Sequence, residues 1–315
     1  MKNMISVISL LLSVILFFGC GAAGEIPATT GKTVENQQIP DPEEDDVMNI
    51  LMVGNSFSFY FCDELYGMLK AAGIKACVYN LYYSGCKLEQ HWNWWKSRTA
   101  NYDMIIHDDS GKSKVAGVDL EYALMQQNWD VITLQEGSAK MRRGDPATEL
   151  AISSPYRQDL YGLFAQQHPK AKLYWHHTWA YEAGCVKDDY VVDVTEQKAY
   201  HERQRTYAIG VCKDNGVTRI PSGDAWQIVR EGGYDKLCAR LGKGNNHEGD
   251  GSHDGDLGGG QFLNASVWFE TLTGLSCLEN TYRPDYTYNG EQFPLSEDFV
   301  AILQKAAHKA VEDSK

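Results

Sequence analysis

The stretch "ILMVGNSFSFYF" at residues 50–61 decides how the chain is read. Its first half is a short, unbroken apolar run, the pattern of a strand covered on both faces. Gly54-Asn55-Ser56 interrupts the run. Apolar residues then resume at helical spacing over 59–73 and end at Gly73, a helix stop. A strand turning into a helix through Gly-Asn-Ser has two readings. Asn55 or Ser56 caps the helix that follows, or Ser56 is a nucleophile presented at the turn. The rest of the chain has to choose between them.

Along the chain, apolar strands recur at "KACVYNLYY" (75–83), "WDVITLQ" (129–135), "AKLYWHH" (171–177) and "VTRIP" (217–221). Helical patterns fall between or after them, at 88–99, 156–169, 195–216, about 258–273 and about 296–312. One piece breaks the alternation: residues 102–124 read as a hairpin insertion near 102–118 followed by a helix. Strands alternating with helices predict an α/β fold, a three-layer α/β/α sandwich around a five-stranded parallel sheet. Ligands of such sheets bind beyond the carboxyl ends of the strands. Gly54–Ser56, Gly85, Gln135 and Trp179 all follow such ends.

Residues 1–19 have the positive start and apolar run of a signal peptide, and Cys20 follows directly. The bulky "FFGC" junction suits lipidation of Cys20 better than ordinary cleavage. Residues 20–47 then form a lipidated, polar tether, and 48–315 one domain of roughly 265 residues. The expected location is an anchored lipoprotein of a Gram-negative-type envelope, on its periplasmic or outer face. The formal net charge is −13 and no Lys/Arg cluster interrupts it, which argues against nucleic acid as a partner. Contact with a membrane is expected through the anchor alone. Seven further cysteines, scattered and without a CxxC pair, leave disulfides and oligomeric state undecided.

A nucleophilic serine needs a base. Near the C-terminus, "HEGDGSHDGDLGGGQ" places Asp250 and His253 three apart in a glycine-rich loop before a helix. At that spacing the carboxylate reaches the imidazole, fixes its tautomer and leaves the other nitrogen free to accept a proton. With this unit present, the nucleophile reading of Ser56 prevails over the cap.

Taken in order, "ILMVGNSFS", "YYSGCKLEQHWN", "WDVITLQEGS", "WHHTWAY" and "DGSH" resemble the SGNH/GDSL serine hydrolases, within an uncharacterised bacterial branch of that superfamily. The resemblance spans about 48–275. It implies a flavodoxin-like fold, Ser56 as nucleophile, His253 as base and Asp250 as its orienting carboxylate. It also implies oxyanion donors at the backbone of Ser56 and Gly85. The superfamily's third donor is an Asn side chain, and Gln135 is the nearest candidate here. Asn55 replaces the usual Asp and Phe57 the usual Leu.

The function that follows is an exported serine esterase acting on acyl esters, acetyl groups on glycans foremost. No metal or cofactor is required. The alternatives are a lipase or thioesterase on another acyl carrier, or a glycan-binding lipoprotein of the same fold. Trp179, His177 and Tyr181 are candidates for lining a sugar cleft, with core packing as the competing role. Trp92 and Trp95, on a helical pattern beside His91, read as packing. Asp250, Ser252, Asp254 and Gly255 match positions of a calcium loop, but Gln261 stands where a bidentate Glu belongs. His247, Asp250 and His253 lack a zinc-binding scaffold.

Overall fold

Strand β1 (Met48–Gly54) is buried from Asn49 onward, as its unbroken apolar run requires. The computed structural model describes residues 46–187, 190–243 and 247–315. The expected signal peptide, Cys20 and most of the tether therefore lie outside the described residues.

A short 3-10 turn at Ser56–Ser58 follows β1 and leads into helix α1 (Cys62–Ala71). Next come β2 (Ala76–Tyr82), α2 (Leu88–Ser97) and a hairpin of β3 (Tyr102–Asp108) and β4 (Gly111–Val118). After α3 (Leu120–Leu124) and β5 (Val131–Leu134) comes α4 (Pro146–Gln167), then β6 (Lys172–His176). A small ribbon pairs β7 (Val186–Lys187) with β8 (Tyr190–Val191) before α5 (Val194–Asn215). The chain continues through β9 (Thr218–Ile220), α6 (Ser222–Glu231) and α7 (Gly260–Thr273). A second ribbon, β10 (Thr287–Tyr288) and β11 (Glu291–Gln292), precedes α8 (Glu297–Glu312).

The sheet runs β4-β3-β2-β1-β5-β6-β9. Five of its strands, β2-β1-β5-β6-β9, are parallel, at the places read from the sequence. The hairpin read near 102–118 does not stand apart. It extends the sheet, β3 pairing antiparallel with β2 and β4 with β3, so the sheet has seven strands. Burial explains the pattern: β4, at the edge, is exposed along most of its length, while β1 and β5 are covered on both faces. Helices α1, α6, α7 and α8 pack together, α2, α4 and α5 pack together, and α5 also meets α6.

Two helices differ from the sequence reading. Helix α4 starts ten residues earlier than the apolar pattern suggests and runs through Pro155. Its start is capped by Asp145, whose carboxylate accepts from the Thr148 N–H, with Pro146 in the first turn. Helix α6 has no counterpart in the sequence reading, because it follows β9 directly after Pro221.

Register brings the functional loops together. Gly54 lies level with Tyr82 on one side, and Val53 with Leu134 on the other. The residues after these ends, 55–56, 83–86 and 135–137, therefore emerge side by side. Leu134 is in turn level with Trp175, so the 177–181 segment emerges from the next strand along the same edge.

Candidate active site

Ser56 heads the 3-10 turn that follows β1. Its position is set by Asn55, whose side chain makes three bonds. Asn55 Oδ1 accepts from the Phe57 N–H (3.1 Å) and from Gln135 Nε2 (2.7 Å), and Asn55 Nδ2 donates to the Cys86 carbonyl (2.9 Å). One carboxamide thus ties together the loops after β1, β2 and β5. Among the described residues, the Ser56 and Gly85 N–H groups donate to no protein acceptor. Gly85 has φ +65°, a left-handed conformation that favours glycine.

Asp250 and His253 arrive on the loop before α7. The Asp250 carboxylate is turned inward by its own loop: Oδ1 accepts from the Ser252 and His253 N–H groups, each at 2.9 Å, and from Ser252 Oγ. Its other oxygen, Oδ2, lies 2.6 Å from His253 Nδ1. With Nδ1–H donating to the carboxylate, Nε2 is the acceptor for the Ser56 hydroxyl, 2.9 Å away. Residues 197 positions apart in the chain meet in this bond. Partial burial by itself raises the Asp250 pKa, but the bonds from the His253 ring and from the His253 and Ser252 amides outweigh it. They hold the carboxyl well below the usual carboxylate range.

The loop is glycine-rich because it lies against backbone. A Cβ at Gly249 would meet the Cys238 carbonyl oxygen at 1.8 Å, and Gly251 has φ +70° with the Cys185 side chain beside it. The spacing that suggested calcium has a different use. The Asp250 carboxylate serves His253, whereas Asp254 is fully buried with Oδ2 accepting from Asn264. Burial pushes the Asp254 pKa up to about 7.

Ser56, Gly85 and His253 open onto a cavity of about 640 Å³. Phe57, Tyr181 and Ile152 supply apolar surface; Lys87, Glu136, Lys140 and Glu149 supply charge. Lys140 is bonded to Glu136 at 3.1 Å and paired with Glu149 at 3.4 Å, and Tyr207 donates to Glu136 at 2.8 Å.

Three residues read from the sequence as site candidates sit differently. Gln135 is buried, and its amide nitrogen is spent on Asn55 rather than directed into the cavity. Trp179 is fully buried, stacked on Trp226 at 4.3 Å, with its indole N–H donating to the Ser252 carbonyl (2.9 Å). His177 is buried as well, between Arg219, whose guanidinium lies 3.1 Å from its Nδ1, and Asp224. Trp179 and His177 therefore belong to the support and not to the lining. Tyr181 does line the cavity, stacked 6.4 Å from Phe57.

Sequence reasoning passed over the support itself. Trp226 donates to Asn264 Oδ1 (2.8 Å) and Asn264 Nδ2 donates to Asp254 (3.1 Å). The Trp179–Trp226 stack thus holds both sides of His253, at Ser252 and at Asp254. Among the described residues, two clusters carry metal-ligating atoms: His177, His201 and Asp224, and Glu270, His308 and Glu312. Neither borders the cavity, and the first faces the guanidiniums of Arg219 and Arg205, which disfavour a cation there.

Residues 49–298 match the family described as "Domain of unknown function (DUF4886)". The chain belongs to the DUF4886 family. A DUF4886 protein of known structure from Bacteroides uniformis is 25% identical with a TM-score of 0.69, over 86% of this chain and 97% of that one. The chain also shows likeness to a lipase/acylhydrolase from Enterococcus faecalis (14% identity, TM-score 0.46, 72% and 96% coverage). Another likeness is to the acetylxylan esterase Axe2 from Geobacillus stearothermophilus (12%, 0.44, 72% and 94%). No curated protein matches significantly. In this DUF4886 domain the serine, the histidine and the aspartate stand within the matched region.

Proposed function

We propose that this DUF4886 protein is a serine esterase that removes acyl groups, foremost acetyl, from carbohydrates. One observation carries the reading: an unbroken chain of bonds from Asp250 through His253 to Ser56, beside two unoccupied N–H donors at the cavity wall.

The chemistry follows from that arrangement. Ser56 Oγ attacks the ester carbonyl carbon as its proton passes to His253 Nε2. Negative charge gathers on the carbonyl oxygen, where the Ser56 and Gly85 N–H groups stabilise it. The C–O bond to the alcohol breaks, and His253 gives its proton to the departing oxygen. Water then repeats the attack on the acyl-enzyme, losing its proton to His253, and the acid leaves as Ser56 is re-protonated. Asp250, held anionic, stabilises the imidazolium in both halves.

The glycan part of the reading is supported by the cavity's mixed wall. Ionised and hydroxyl groups at Ser84, Lys87, Glu136, Lys140 and Glu149 suit a hydroxylated leaving group better than an alkyl chain. The export part rests on the first twenty residues, with Cys20 as the anchor.

The test is turnover of p-nitrophenyl acetate together with labelling by a fluorophosphonate probe mapped to Ser56. Deacetylation of an acetylated xylan, followed as released acetate, tests the substrate class. Absence of both turnover and labelling in the full chain overturns the assignment.

A further inference from the structure

The stretch "WNWWK" at 92–96, three tryptophans and a lysine around Asn93, stands on α2, outside the catalytic cavity. Trp92 and Trp95 are each packed partly on the core and partly exposed. Together with the facing side of α4 they border a groove of about 700 Å³. Its other wall is Gln158, Asp159, Gly162, Leu163, Gln166 and Gln167.

We propose that this groove is a second, non-catalytic carbohydrate site, which holds an extended neutral glycan across Trp92 and Trp95. The two indoles lie three residues apart on one helix face, about 5–6 Å at Cβ, a spacing comparable to that of neighbouring rings in an extended sugar chain. Indole faces accept the C–H face of a sugar ring. Three carboxamides, each able to donate and accept, and one carboxylate acceptor stand opposite for the hydroxyls. Among the described residues, none of these four side chains bonds to another protein group.

The floor carries a second sign. Gly162 lies inside α4, where glycine is destabilising relative to alanine. No packing demands it, since a Cβ there would meet nothing within 4 Å. The missing side chain leaves the groove open. Meanwhile Arg98 lies over Trp95 (4.7 Å) and Lys96 over Trp92 (5.7 Å), which braces both rings.

Other occupants fit less well. Both walls are helices, so they offer no free main-chain groups to pair with an extended peptide. An alkyl chain would leave the amides unpaired.

This site does not depend on the esterase reading, and its test is separable from it. Titrate the full chain carrying Ser56→Ala with xylohexaose and cellohexaose, following tryptophan fluorescence and heat. Saturable binding is expected, weakened about tenfold or more by Trp92→Ala or Trp95→Ala. Gly162→Leu should abolish binding while leaving the melting temperature and far-UV circular dichroism of the chain unchanged, which guards against a folding defect. No saturable binding of either sugar, or equal binding by Gly162→Leu, overturns the proposal. Self-association lost in Trp92→Ala, without sugar binding, also overturns it.

Discussion

Gln135 Nε2 donates to Asn55 Oδ1 at 2.7 Å, joining residues 80 positions apart at the ends of two neighbouring strands. The same Asn55 side chain holds the Gly85–Cys86 turn through the Cys86 carbonyl. Its carboxamide therefore sets the separation of the two N–H groups proposed to receive the oxyanion. Gln135 acts through Asn55 and is a positioning residue. Gln135→Ala is expected to lower kcat about 10- to 100-fold with little change in KM, as small misplacements of reacting groups do. The double variant with Asn55→Ala should be no worse than Asn55→Ala alone, because the two act in series. Additive losses measured in this cycle would show that Gln135 has an independent role.

Ser56→Ala should abolish ester turnover and probe labelling with an almost unchanged melting temperature, since among the described residues no bond but that to His253 involves the hydroxyl. His253→Ala should be about as severe, because members of such a unit fail together. Asp250→Asn should cost much of the rate by offering an N–H to the nitrogen that now donates. Steady-state kinetics on p-nitrophenyl acetate separate the three.

Trp179 distinguishes support from substrate contact. Trp179→Phe keeps a ring against Trp226 but leaves the buried Ser252 carbonyl without its donor. The expected cost is about 1–3 kcal/mol of stability together with a fall in kcat, because the loop carrying His253 loosens. A rise in KM alone, with stability intact, would instead place the indole against the substrate.

Asp254 makes a prediction about pH. Its folded pKa is raised to about 7 by burial, from an ordinary value near 3.8. The native state therefore keeps a proton that the unfolded chain has lost, and stability falls as pH rises from about 4 to about 7. Asp254→Asn removes this loss while keeping an oxygen for Asn264. Its stability relative to the native protein should increase between pH 5 and pH 8 in urea unfolding. A difference that stays constant across that range would mean an ionised carboxyl throughout.

Cys20 can be checked in cells. Metabolic labelling with a palmitate analogue should mark the full chain, and Cys20→Ser should remove both the label and membrane partition. An unlabelled native chain would return residues 1–19 to an ordinary signal.

The sequence alone determined the central strands β1 and β5, because a strand buried on both faces needs an unbroken apolar run that survives in any context; the other parallel strands were legible from their alternation with helical segments. It also determined the Asp250–His253 unit, since a contact over three residues depends on local backbone alone. The two-strand extension of the sheet, the direction of Gln135, and the burial of Trp179 and His177 were settled only by tertiary structure. Residue type and spacing show that such a side chain follows a strand end. Whether it faces the cavity or its neighbour depends on which acceptor the adjoining strand presents. For Gln135 that acceptor is Asn55, placed by the pairing of β1 with β5. For Trp179 it is the Ser252 carbonyl, 73 residues away, which no local pattern encodes.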